Sequence, residues 1–306
     1  VLCFTPAIFG QEKFSVSPAF KEEFSGLPDV RDITISAGSD EFYFTILSPL
    51  EDISIIAFVK KAGIAWSNPE MVSFSGKYRD LEPFLSPDGL RLYFSSDRPL
   101  IDTLSQSKDF DIWYVERENL LSEWSKPINQ GIPVNSSYDE FYPSLAKNKN
   151  IYFTSGRPDS KGNDDIWFCN WLGKSYSDPV SLSDSVNSSG FEYNSFIAPD
   201  ESYIIFGGYN KSDGMGSGDL YISFKKTDQT WSIAKNLGPT VNSRQMDYCP
   251  FVDLHTNTLY FTSKRSEVKL KDFHSVSDFI DEITIYQNGN SRIYKIPLKI
   301  IQQTDK

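Results

Sequence analysis

The chain has 306 residues, 15% of them aromatic, and a formal net charge of −11. Phosphate binding relies on clustered Lys and Arg, so this balance excludes a nucleic-acid partner. No apolar run reaches the length needed to span a bilayer as a helix, and the aromatic content is ample for a core between stacked sheets.

At the N-terminus, Val1 to Gly10 forms an apolar lead with no initiator Met. It reads as the end of a signal peptide cleaved after Gly10, which places the protein in the periplasm or outside the cell. Residues 11–306 then form one domain. Leu2 stands where a small residue precedes a lipidated cysteine, so no lipid anchor is expected on Cys3.

Further along, one phrase sets the architecture. It begins as Phe14-Ser15-Val16-Ser17-Pro18 and returns as Trp66-Ser67-Asn68-Pro69, Trp124-Ser125-Lys126-Pro127, Tyr176-Ser177-Asp178-Pro179 and Trp231-Ser232-Ile233-Ala234. The spacings of 52, 58, 52 and 55 residues mark a repeat, in which no unit can bury its apolar face without a neighbour. Within each period a turn such as Phe84-Leu85-Ser86-Pro87-Asp88-Gly89 precedes a β-rich strand. These strands carry Phe42-Tyr43-Phe44, Leu92-Tyr93-Phe94, Ile151-Tyr152-Phe153, Ile204-Ile205-Phe206 and Leu259-Tyr260-Phe261. A third strand follows, with Asp111-Ile112-Trp113, Asp165-Ile166-Trp167, Asp219-Leu220-Tyr221 and the altered Arg292-Ile293-Tyr294. Four short strands per period make one blade of a β-propeller.

The Ser-Pro-Asp-Gly turn, the Tyr-Phe strand and the Asp-Ile-Trp strand resemble the TolB-like, WD40-like propeller repeat over roughly residues 14 to 298. That resemblance implies a binding scaffold of the bacterial cell envelope. The blade count follows independently. The fifth unit ends at Ile293-Tyr294-Lys295-Ile296 without an outer strand, while Phe14 to Pro18 is an outer strand with nothing before it. Joining the two removes two exposed edges and predicts an all-β, five-bladed propeller of four-stranded antiparallel blades.

Aligned on the Tyr-Phe strand, the first strand of a blade opens with Asp80, Glu140, Glu192 or Asp247. The second ends with Arg98, Arg157, Asn210 or Arg265, and the third opens with Asp111, Asp165, Asp219 or Arg292. These positions share one edge of an antiparallel meander. Because the charges follow the repeat, they read as ion pairs that pin the hairpins; a unique site should break it.

The breaks therefore matter. Asn210 leaves Glu192 and Asp219 without their cation, Arg292 replaces an acid, and blade one shows only Asp32, out of register, with Ser48 where the Arg stood. The longest insertion, about residues 266–291, leaves blade five at the same edge. Within it Val276, Phe279, Ile280 and Ile283 recur at helical spacing after a Ser275 N-cap, as a lid or a plug. Blade two has a long polar loop from Pro99 to Phe110.

The candidate ligand site is accordingly Glu192, Tyr193, Asn210, Asp247, Tyr248 and Arg292, beneath the helix around Phe279, where two tyrosines offer stacking surface beside polar groups. Cys169 and Cys249 read as small buried residues, and no Cys/His cluster has zinc spacing. The acidic, Gly-rich loops 159–165 and 211–219 lack EF-hand spacing, so no metal or cofactor is assigned. His255 and His274 have no sequence-evident nucleophile partner. The expected function is non-enzymatic recognition of a protein, peptide or glycan by a monomer, with no catalytic residue. The alternative is a glycoside hydrolase using Asp32, Glu192 and Asp247 at the channel mouth.

Overall fold

A computed structural model describes residues 14–101 and 109–299. The lead at residues 1–10 and much of the polar loop of blade two lie outside the described residues.

The fold is the five-bladed propeller. Strand β1 (Ser17–Pro18) comes first. Blade one runs β2 (Asp29–Ile35), β3 (Glu41–Leu47) and β4 (Ser54–Ala62), extended by β5 (Ala65–Trp66) and edged by β6 (Glu70–Met71). Blade two is β7 (Asp80–Leu85), β8 (Arg91–Ser96), β9 (Asp111–Glu116) and β10 (Ile128–Asn129). Blade three is β11 (Glu140–Leu145), β12 (Ile151–Ser155), β13 (Asp165–Cys169) and β14 (Val180–Ser181). Blade four is β15 (Phe191–Ile197), β16 (Tyr203–Tyr209), β17 (Asp219–Phe224) and β18 (Lys235–Asn236). Blade five is β19 (Asp247–Asp253), β20 (Thr258–Ser263), helix α1 (Val276–Ile283) and β21 (Arg292–Pro297).

The ring closes as the sequence predicts. Strand β1 pairs antiparallel with β21, Ser17 opposite Lys295 and Pro18 opposite Tyr294, so the N-terminus supplies the outer strand of blade five.

The repeated phrases have identifiable mechanical roles. In four of the five phrases the serine after the aromatic clamps the end of a blade's third strand with two hydrogen bonds. Ser125, for example, donates its N–H to the Glu116 carbonyl at 2.9 Å, while its Oγ accepts the Glu116 N–H at 3.0 Å. Ser67, Ser177 and Ser232 repeat the arrangement on Lys60, Asn170 and Phe224. The second strand places a wholly buried phenylalanine at the same position in every blade: Phe44, Phe94, Phe153, Phe206 and Phe261.

A second phrase, Val-Asn-Ser, recurs at 134–136, 186–188 and 241–243. Its asparagine accepts from and donates to the backbone of the third strand: Asn187 Oδ1 takes the Ile166 N–H at 3.0 Å and Nδ2 donates to the Ile166 carbonyl at 2.9 Å. Asn135 and Asn242 do the same on Ile112 and Leu220, satisfying backbone groups that a short outer strand leaves open.

Candidate functional site

The acids opening the first strands are structural. Asp80 pairs with Arg98 at 2.5 Å, Glu140 with Arg157 at 2.9 Å and Asp247 with Arg265 at 2.8 Å, each acid fully buried. Each guanidinium also lies over aromatic rings of its own blade, as Arg157 does over Phe153 and Trp167. Serines complete the acids: Ser136 donates to Glu140, Ser188 to Glu192 and Ser243 to Asp247.

Blade four keeps its cation, contrary to expectation. Asn210 takes a left-handed backbone with φ 61°, which asparagine tolerates, and Lys211 beyond it reaches back to Glu192 at 2.6 Å. Lys211 also sits over Phe206 and Tyr221, as the arginines sit over their own rings. Removing such a cation strands a buried carboxylate. Arg157→Ala should therefore lower unfolding stability by about 3–5 kcal/mol, measured by urea titration; full stability with lost ligand binding would instead make the ion pair functional.

The channel is lined two residues further along. Every first strand carries a β-bulge, at which the pairing register shifts. Within the bulges Asp32, Glu82, Tyr142, Asn194 and Cys249 all adopt left-handed backbones, with φ between 50° and 60°. For residues other than glycine this costs on the order of 1–2 kcal/mol each. In four blades the preceding blade secures the bulge: the N–H groups of Asp32, Glu82, Tyr142 and Asn194 donate to hydroxyls of Thr262, Thr45, Ser95 and Thr154. At the equivalent place before Cys249 stands Gly207. A Cβ there would lie 2.6 Å from the Tyr193 ring, so the glycine makes room for that side chain.

These residues close the channel with bonds between blades. Arg31 holds the centre: its Nε donates to Asp32 at 2.7 Å and its Nη2 to Glu82 at 2.9 Å, with Cys249 Sγ at 3.5 Å. Its guanidinium lies over the Tyr248 ring at 5.1 Å. Glu82 further accepts from Asn194 Nδ2 at 3.3 Å, Ser95 Oγ at 3.0 Å and the Tyr142 N–H at 2.7 Å. Tyr142 Oη donates to the Pro250 carbonyl at 3.1 Å. Burial, together with the Asp32 charge beside it and against the opposing pull of Arg31, pushes the Glu82 carboxyl up to about 7. Asp32 is 1% exposed and its Oδ2 has no hydrogen-bond partner among the described residues.

Above this floor opens a cup of about 470 Å³. Arg31, Glu82 and Asn194 form its base, and Phe110, Phe141, Phe191, Tyr193 and Tyr209 are in its wall, with Arg79 and Asp164 at the side. Aromatic faces around a few fixed polar groups are the usual make-up of a small-ligand or sugar pocket.

Of the six residues expected to bind ligand, Tyr193 lines this cup. Glu192 and Asp247 are held in their blade ion pairs, and Tyr248 is buried beneath Arg31 with Oη 2.9 Å from Ser291 Oγ. Asn210 lies at the turn beyond β16. Arg292 donates to the Pro28 carbonyl at 2.6 Å and to the Ser291 carbonyl at 2.9 Å, fastening blade five to the start of blade one.

Helix α1 forms with the predicted Ser275 cap, whose side chain accepts from the Asp278 N–H. It has no buried residue, and no residue of 266–291 lines the cup. Similarly, the set Asp32, Glu192 and Asp247 is not assembled as a catalytic group, since the latter two face arginine or lysine inside their blades. Glu82 is the residue that sequence reasoning passed over. Its signal was present two places after the first position of the repeated acid, where the sequence reads Asp32, Glu82, Tyr142, Asn194 and Cys249, a different side chain in every blade. Asp32 is in register with that ring rather than out of register with the other.

No protein-family model and no curated protein matches this chain. Solved structures do share the fold. An α-L-arabinofuranosidase from Podospora anserina, determined with cellotriose, is 11% identical with a TM-score of 0.51, covering 93% of this chain and 96% of that one. A protein described as a glycoside hydrolase is 8% identical with a TM-score of 0.55, covering 92% and 90%. A GH43 endo-arabinanase from Bacillus licheniformis is 11% identical with a TM-score of 0.50, covering 87% and 91%. All three act on carbohydrate by their names. At such identity the likeness is one of fold; it defines the class as a five-bladed propeller, and the TolB-like resemblance is a finer statement than it carries.

Proposed function

We propose that this propeller binds a glycan in the cup and hydrolyses a glycosidic bond there. The observation that carries the reading is the pair of channel carboxylates beneath an aromatic wall, Asp32 and Glu82 on adjacent blades sharing Arg31. Glycoside hydrolysis needs one carboxyl protonated near neutrality and one ionised. Glu82, pushed up to about 7, lines the cup and suits the proton donor to the leaving oxygen. Asp32, buried behind the cup with its Oδ2 unpartnered among the described residues, helps to hold the Glu82 proton through its charge. Carbohydrate-acting neighbours of the same blade number support the reading without deciding it.

A second reading is recognition without cleavage, favoured by the four hydrogen bonds that already occupy both oxygens of Glu82. One experiment separates the two. Arabinan, xylan and cello-oligosaccharides should be assayed for binding and for released product, using the native chain and Glu82→Gln. The expected result is cleavage of at least one glycan, reduced about 100-fold or more in Glu82→Gln with binding retained. Binding without product would favour recognition, and no binding at all would overturn the glycan reading.

A further inference from the structure

The cup has an electrostatic imbalance that identifies its ligand more closely. Arg31 is committed to Asp32 and Glu82, Arg79 to Asp97 at 2.8 Å and lies over the Phe110 ring, and Glu51 is paired with Lys264 at 2.8 Å. Asp164 is different. Half-buried in the cup wall, its carboxylate has no hydrogen-bond or ion-pair partner among the described residues. Burial and the neighbouring charges of Asp139 and Asp165 push its carboxyl up. Arg31, Arg79 and Lys264 are thus each already paired with a carboxylate, whereas Asp164 has no such pair among the described residues.

Asp164 shares the cup with two aromatic pairs. Its backbone bridges in parallel to Phe191, which packs on Tyr209 at 5.8 Å, while Asp139 takes the N–H of Phe110, which packs on Phe141 at 4.9 Å. Aromatic faces carry negative charge and attract cations. Arg79 over Phe110 shows one such face already occupied by a cation.

We infer that the cup selects a sugar residue bearing a protonated amine, which stacks on the aromatic wall and gives Asp164 its missing counter-ion. An acidic sugar would meet an uncompensated carboxylate and is excluded; an N-acetylated one loses the charge. The inference rests on the glycan reading above and concerns binding, independently of whether the bond is cleaved.

The test is calorimetric titration with three chains of equal length, namely glucosamine oligosaccharide with its amines protonated, its N-acetylated counterpart, and oligogalacturonate. The amine chain should bind about tenfold tighter than the N-acetylated chain, and the galacturonate should not bind. Asp164→Asn should remove the preference and Asp164→Glu should keep it. Asp164→Asn should also melt no lower than the native chain, because it relieves repulsion from Asp139 and Asp165. Equal binding of the amine and N-acetylated chains, or a preference that survives in a folded Asp164→Asn, overturns the inference while leaving the glycan reading intact. Failure of every glycan here and in the broader set overturns both.

Discussion

A chain beginning at Leu27 should fail to fold cooperatively. The segment removed holds the outer strand of blade five, paired to β21 at Ser17 and Pro18 and continued by the Ala19 N–H on the Ile293 carbonyl at 2.9 Å. It also holds a plug of apolar side chains at the blade-five to blade-one seam. Ala19 and Phe24 are buried, and Phe20 packs on Phe42 at 4.2 Å and on Tyr260 at 5.8 Å. Without it β21 becomes an open edge and two blades lose their common core. Phe24→Ala alone should cost about 3–5 kcal/mol, the range for truncating a buried phenylalanine. Thermal unfolding followed by circular dichroism checks both. A truncated chain that melts like the full one would show that the ring does not depend on this strand.

The second large effect is expected at Arg31. Arg31→Ala leaves Asp32 and Glu82 facing each other with no cation, in a place where both are almost wholly buried. The loss should be about 3–5 kcal/mol near neutral pH. It should also depend on pH in a defined direction. The Glu82 carboxyl is raised above its ordinary value by burial, so its stabilising contribution is complete below about 4.5 and is lost as pH rises through about 7. Removing Arg31 takes away the cation that opposes this rise. Urea midpoints should therefore separate native from Arg31→Ala further at alkaline than at mildly acidic pH. An equal separation at both would mean that Arg31 acts through packing on Tyr248 rather than through charge.

Much of the fold was legible because the repeat records local chemistry. A serine that clamps a strand end, a tight turn before the second strand and a buried aromatic in that strand recur in the sequence since each blade solves the same problem of pairing and burial. The ion pairs of Asp80, Glu140 and Asp247 were legible for the same reason. Lys211 was not, because the rule was read at a fixed position and a left-handed Asn210 moves the cation along by one residue. Glu82 was missed for a related cause. In a regular strand, Asp80 and Glu82 share a face, and one would expect both to serve the same ion-pair network. The Val-Asn-Ser phrase was readable as a repeat, although its bonds to the third strand are not.

By itself, then, the sequence determined the blade, the number of blades and the way the ring closes, because spacing, turn residues and edge complementarity are properties of the chain read in order. Only the tertiary structure decided what the channel is. A bulge that turns one residue per strand out of its expected face cannot be seen from alternation. The hydroxyls that hold the bulges belong to the neighbouring blade, more than a repeat's strand away in sequence. Convergence of five such strands is what brings Asp32, Glu82 and Arg31 into contact, and no pattern within any single blade contains that contact.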